Sequence, residues 1–475
     1  MQPINDSGIF WIPGTVTELS GRLDFDAIDG CKIELVGDFD DVQFDQSSVL
    51  IWGYIGSKRV TLRDCWKTRL QQPSRGVVES AYHVGGLFIG SHMSEDDNLF
   101  DRVLVKFGEL GNWVGSSGIK YRVQEEDDDT SSIVSMSLDS MLEDEANFSR
   151  GCIRVFQGWS TKKVPNGSVL YQHSYIEIKY DSPATFQTIT GDVVDIEQLI
   201  SMCADVPLTM DLLKVFRDHA NEPTAETSPS NGSLQVEYKA SRIHHVEPTD
   251  KDRIPRYDRY LSYREIDGVD GMAKWLDVVP EFRRSLHALS GVRYMGKTYM
   301  ENRLLNVISA AEGFHRNVYQ VPETEQESHR QLIQTLLEAV PDEDSRDWIN
   351  DKLAYAYEPS LKKRLMKLAG RSKRAIKVII PDKYKWAHVV ASARNEVTHV
   401  NSDVDTIDSE DMLYLHYSVF DVVRANMLLS LGVSIGLLES ASDRYCFSWY
   451  KDRLRGTIDR LHARYSQRLR QASLC

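Results

Sequence analysis

Apolar and polar residues alternate in short runs through the first half of the chain. KIELVGDFD, SVLIWGYIG, RVTLRDCW, YHVGGLFIG, RVLVKFGEL, IKYRV, CIRVFQGW and SYIEIKY are rich in β-branched and aromatic residues, with Gly, Asp, Asn or Ser between them. This spacing predicts a sandwich or a curled antiparallel sheet over residues 1–190. The acidic stretches QEEDDDTSS and LEDEANFS, between 124 and 149, read as solvated loops, because they lack the regular ligand spacing of a metal site.

The period then changes. Residues 192–219 read as helix interrupted at Pro207, NEPTAETSPSNGS (221–233) as a flexible loop, and LQVEYKAS as one more strand. Residues 191–254 are accordingly expected to form a helical connector and linker, and 255–475 an all-α bundle. In TYMENRLLNVISAAEGFHRNVYQ (298–320) an apolar stripe runs through Met300, Leu304, Val307, Ile308, Ala311, Phe314 and Val318. Shorter helices are expected at 326–340 and 344–357, with Pro341 at the break. After a basic tract comes a helix that ends in RNEVTH, and Ser409 reads as the N-cap of a long apolar helix over 410–436. A basic helix closes the chain. The fold class is therefore α+β: an antiparallel β-rich domain followed by a helical bundle.

Composition sharpens this picture in two places. The net charge of −14 is uneven: residues 1–240 hold 20 Lys and Arg against 37 Asp and Glu, whereas the remainder holds 36 against 33. The whole chain repels nucleic acid, but its second half need not. The six cysteines (31, 65, 152, 203, 446 and 475) are scattered without CxxC pairs or zinc spacing, which predicts free thiols in a reducing cytoplasm and no structural metal. Of these, Cys475 is the one expected to be reactive. No secretory leader is read at Met1, and MLLSLGVSIGLL (427–438) is too short for a membrane span.

The candidate chemistry lies in ASARNEVTHVNSDV, residues 391–404. Arg394, Asn395 and His399 sit where a helix runs into a polar turn, and Asn395 shares a face with His399 at i, i+4. Arg455 and His462 have a similar spacing, but such pairs arise by chance in a chain with this many Arg and His residues. The tract just upstream, 361–385, contains ten Lys or Arg and a single acid, Asp382. It is a landing place for a polyanion, with Lys373, Arg374, Lys377 and Lys385 as candidate backbone contacts; the competing reading is a solvated helix face. Tyr384 is a candidate for base stacking, and Trp386 reads as core.

Residues five apart on a helix point about 140° apart, so Arg394 and His399 converge only if the helix unwinds or two copies meet at a two-fold axis. RNA carries its own nucleophile, the 2′-OH. A neutral His, with an ordinary pKa of about 6.5, can move its proton, and Arg can hold the phosphate oxygens as charge grows. No metal and no cofactor is needed, and the product is a 2′,3′-cyclic phosphate.

RNEVTH at the end of a helix in an all-helical domain resembles the HEPN superfamily, whose signature is Arg, a polar residue and then His. That resemblance implies a metal-independent ribonuclease acting as a homodimer or higher even oligomer. It also implies a supporting acid on an early helix, for which Glu312 in AAEGFHR is the best match; the neighbouring His315 reads as a satisfied core histidine. FWIPG (10–14), GRLDF (21–25), IELVG, IWGY, VTLRDC, GGLFIG and LGNWVG together resemble the N-terminal domain of ApeA-type HEPN proteins of bacterial anti-phage defence. This implies a toxin-like enzyme, with tRNA as one candidate substrate, held in check until a phage protein triggers it. These N-terminal motifs suit tight turns and packing, not catalysis. The charge asymmetry adds the expectation that the acidic domain senses the trigger or masks the basic cleft. The rival readings are a non-catalytic HEPN module that grips RNA or protein, a dimerising adaptor, and a metal-dependent nuclease. The last is disfavoured by the lack of a carboxylate cluster.

Overall fold

The structure, a computed structural model, describes residues 1–39, 42, 48–71, 76–125, 132–139, 141–165, 167–218, 233–239, 259–295, 298–398, 407–444 and 448–472. The chain divides into two compact units, Met1–Asp277 and Val278–Cys475.

The first unit opens with strands β1 (Ile4–Trp11), β2 (Glu18–Asp26), β3 (Gly30–Val36), β4 (Val49–Ile55), β5 (Lys58–Gln71), β6 (Glu79–Ile89) and β7 (Leu99–Phe107). After the short helix α1 (Leu110–Val114) come β8 (Ile119–Glu125), β9 (Ser132–Leu138), β10 (Glu143–Phe148), β11 (Gly151–Val164) and β12 (Gly167–Thr185). Helix α2 (Phe186–Ala204) follows, then β13 (Met210–Asp218), β14 (Ser233–Lys239) and helix α3 (Gly268–Val278).

The predicted curling goes to closure. Antiparallel pairing runs β6–β3–β2–β1–β4–β5 and back to β6, forming a six-stranded barrel. From β6 the sheet continues through β14, β13, β7, β12 and β11 to β10, while β8 and β9 pair separately. Alternation explains the filling: Leu23 and Phe25 point inward beside outward Asp24, and they join Phe10, Ile33, Leu35, Ile51, Val60, Leu62, Tyr82 and Val84 in one core. FWIPG and IWGY serve this packing. A Cβ on Gly53 would meet the Phe10 ring at 2.4 Å, so only glycine lets that ring cross the strand.

Helix α2 begins at Thr185, whose side chain accepts from the Thr188 N–H, and ends at Asp205 in the left-handed region (φ +61°). Its buried Asp192 takes two hydrogen bonds from Arg150, each 2.9 Å, and one from the Tyr180 hydroxyl. The helical reading of 192–219 therefore holds only to Ala204. Pro207 cannot continue the helix, and the buried Leu213 and Val215 flank half-buried Lys214, a period of two that places β13 in the sheet between β7 and β14.

The second unit is helical: α4 (Arg283–Tyr294), α5 (Met300–Val318), α6 (Glu323–Ala339), α7 (Glu343–Leu353), α8 (Leu361–Arg371), α9 (Lys373–Ile376), α10 (Lys383–Thr398), α11 (Ser409–Leu431), α12 (Ile435–Arg444) and α13 (Ser448–Ala472). The stripe on α5 is buried from Leu304 to Phe314 as expected, and this helix packs on α4 and α11. Asp408, not Ser409, caps α11: its carboxylate accepts from the Asp411 N–H, and Ser409 is the first helical residue. The helix expected to run to 436 breaks at Gly432 (φ +103°), whose N–H returns to the Leu428 and Leu429 carbonyls.

Trp386 on α10 is core, as read: it is fully buried, and its Nε1–H donates to Ser418 Oγ of α11 at 2.9 Å. Trp386→Ala removes this contact and leaves a large void, so a loss of about 3–5 kcal/mol in stability is expected. Denaturant unfolding of the two proteins checks it.

Candidate active site

The site is built on the C-terminal end of α10. The helix packs on α8 and α13 and ends at Thr398, directly before His399. His399 itself lies outside the described residues, as do Cys446 and Cys475.

Arg394 is half-buried and Asn395 exposed, with Arg394 Nη1 at 3.4 Å from Asn395 Oδ1. The two are thus adjacent at the helix end. Among the described residues no carboxylate pairs with Arg394, although Glu396 is two positions away. Glu396 is engaged elsewhere. Its Oε1 accepts the Ile407 N–H at 2.8 Å, and Arg464 of α13 donates to both of its oxygens at 2.6 and 2.7 Å, with Arg468 at 3.5 Å. Burial, together with hydrogen bonding and charge from Glu396, pushes the Tyr465 hydroxyl well above its usual range.

Among the described residues this division of labour leaves the Arg394 guanidinium without a carboxylate partner, and such a planar fork of donors suits an anion. Sequence reading passed over Glu396. Its position inside RNEVTH, opposite a basic closing helix, was the signal available.

The other expected site residues are spread more widely. Glu312 lies on α5 with its side chain about one-third exposed and pairs with Arg316 at 3.7 Å; Arg316 in turn pairs with Glu358 at 3.0 Å. Among the described contacts Glu312 has none with Arg394. The basic tract is not one face. Arg364 is buried against Glu358 and the Pro359 carbonyl, and Arg371 donates to Ser430 Oγ. Of the four candidate RNA contacts, Arg374 is held by Glu439 at 2.7 Å and Lys385 by Asp459 at 3.1 Å. Lys373 and Lys377 are exposed without a carboxylate partner among the described residues. Tyr384 is 58% exposed.

Among the described residues no three His, Cys, Asp or Glu side chains gather as a metal site, and no helix is long and apolar enough to cross a membrane.

Comparison with known proteins bears on both units. The family model described as ApeA N-terminal domain 1 matches residues 7–275, and the one described as Apea-like HEPN matches residues 305–436, which include Arg394, Asn395 and His399. No curated protein and no solved structure matches the chain. The first match alone spans more than half of the sequence, and the order of the two is that of an antiparallel β unit followed by a helical one. The chain belongs to the ApeA-type HEPN proteins of anti-phage defence.

Proposed function

We propose that the helical unit is a metal-independent endoribonuclease. The observation that supports this best is the state of Arg394: it is half-buried at a helix end, beside an exposed Asn395, with the nearby Glu396 taken up by α13. A cation with no carboxylate partner among the described residues is suited to a phosphate.

In this reading His399 takes the proton from a ribose 2′-OH. The 2′-oxygen bonds to the adjacent phosphorus, the bond from phosphorus to the 5′-oxygen breaks, and that oxygen leaves with a proton supplied by an imidazole. Arg394 holds the phosphate oxygens as negative charge builds, and Asn395 orients either the phosphate or His399. Two copies meeting at a two-fold axis would supply an Arg and a His from each chain, one imidazole acting as base and the other as acid. Glu312 has a supporting place at most, through Arg316. The β unit receives a phage-derived trigger, and tRNA is the substrate class to test first.

The test is to incubate the purified protein with total RNA in EDTA, with and without phage lysate, and to examine the product ends. Ends with 2′,3′-cyclic phosphate and 5′-hydroxyl are expected, with more product when lysate is present. Loss of all cleavage in EDTA would refute the metal-independent mechanism, and binding without cleavage under every condition would leave an RNA-gripping module instead.

A further inference from the structure

Helices α10 and α13 run side by side in the same direction, and their contacts form a ladder. Lys385 meets Asp459 at 3.1 Å, His388 meets His462 with ring centroids 5.3 Å apart, and Glu396 meets Arg464. The first and last rungs match opposite charges; the middle one does not. It holds two half-buried imidazoles, and His388 Nδ1 lies 3.4 Å from Ser392 Oγ. The exposed Lys362 of α8 adds a cation beside His388. Among the described residues no carboxylate pairs with His388, His462 or Lys362, because the nearest rung's Asp459 is held by Lys385.

We propose that Lys362, His388 and His462 form a second anion site, which takes a phosphate of an RNA strand lying along α10. The inference rests on RNA being the ligand of this unit. An anion supplies the charge that the middle rung lacks. A metal ion fits poorly: two imidazoles offer two ligands, no third ligand gathers among the described residues, and the lysine repels a cation.

Position supports the assignment to RNA. Tyr384, His388, Ser392 and Asn395 are spaced i, i+4, i+8 and i+11, which places them within about 80° on one face of the helix. A strand on that face passes the exposed Tyr384, where a base can stack, then the imidazole pair, and reaches Asn395 after about 10 Å of helix rise from His388. Burial, with Lys362 and His462 beside it, holds His388 below its ordinary pKa, so it is neutral near pH 7 in the free protein. A bound phosphate opposes both neighbours and favours protonated His388.

The experiment follows the histidine C2–H signals of the full-length protein by NMR through a pH titration. It uses two probes, inorganic phosphate and a 2′-O-methyl oligoribonucleotide. The oligonucleotide has no free 2′-OH and cannot be cut, so the readout is independent of whether the protein cleaves RNA. The midpoint of His388 is expected to rise by about one unit with either probe, equivalent to about tenfold tighter binding when its imidazole is protonated. His388→Gln and Lys362→Gln should each reduce the slope of log affinity against log salt for the oligonucleotide by about 0.7, with unchanged thermal midpoints.

A His388 midpoint that stays put with both probes, or an unchanged salt slope in both variants, overturns the site. A response to phosphate without one to the oligonucleotide overturns its assignment to RNA. A fall of the His388 midpoint on adding zinc would make the pair a metal site and also overturn it.

Discussion

His399→Ala and Arg394→Ala are each expected to abolish RNA cleavage while leaving the protein folded. Removing a positioned general acid or base lowers a rate by about 10²–10⁴-fold, and removing a donor that stabilises transition-state charge by about 10²–10³-fold. Both reductions bring a slow nuclease below detection in an end-point assay. The fold should tolerate Arg394→Ala because the side chain has no carboxylate partner among the described residues, only a long contact to its neighbour Asn395. Arg394→Lys is the sharper variant. It keeps the charge but loses the planar fork, so it should recover little activity if two phosphate oxygens are gripped together. Cleavage rates, circular dichroism and thermal midpoints of the three variants decide the matter. If either alanine variant cuts RNA at the wild-type rate, that residue leaves the mechanism.

The comparison of sequence with structure divides along a physical line. Local period identified the elements: alternation found the strand-rich half, and the stripe through Leu304, Ile308 and Phe314 found α5. Closure of the barrel was not legible, because it depends on β4 returning to pair with β1 and on β5 pairing with β6. Those registers are set by side chains distant in sequence, such as Phe10 crossing Gly53. The misreading of 210–218 has a similar origin. MDLLKVFRD is compatible with either period, and the left-handed Asp205 before it decides for strand.

In the candidate site, a helix ending within RNEVTH was legible, and α10 stops at Thr398; the Asn-Ser-Asp read as a turn lies outside the described residues. The engagement of Glu396 was not legible, because Arg464 lies on the last helix. Arg455 and His462 share a spacing that arises by chance in such a chain; in the fold Arg455 donates to the Val378 carbonyl, and the neighbour of His462 is His388.

A pH-dependent prediction for stability concerns His315. The stripe on α5 placed it in the core, and it is 1% exposed, but it is not the satisfied histidine expected: neither ring nitrogen has a hydrogen-bond partner among the described residues. Its ring lies 5.0 Å from that of Tyr319. Burial, with Arg364 and Lys367 adding like charge, lowers its pKa from 6.5 to about 4. Above pH 6.5 the imidazole is neutral in both folded and unfolded chains, so its titration contributes nothing. Below that, the unfolded chain takes up a proton that the folded chain refuses until about pH 4, and stability declines. At 1.36 kcal/mol per unit the loss is about 2 kcal/mol at pH 5 and about 3 kcal/mol near pH 4.

His315→Leu removes this linkage along with two nitrogens that have no partner among the described residues, so it should be neutral or stabilising at pH 7. Its advantage over the wild type should then grow by about 2 kcal/mol between pH 7 and pH 5. The buried His416, also lowered to about 4 by burial, is present in both proteins and cancels from the difference. Urea unfolding of the helical transition at pH 7, 6 and 5 measures it. Parallel curves for the two proteins would mean that His315 takes up its proton inside the folded helix bundle.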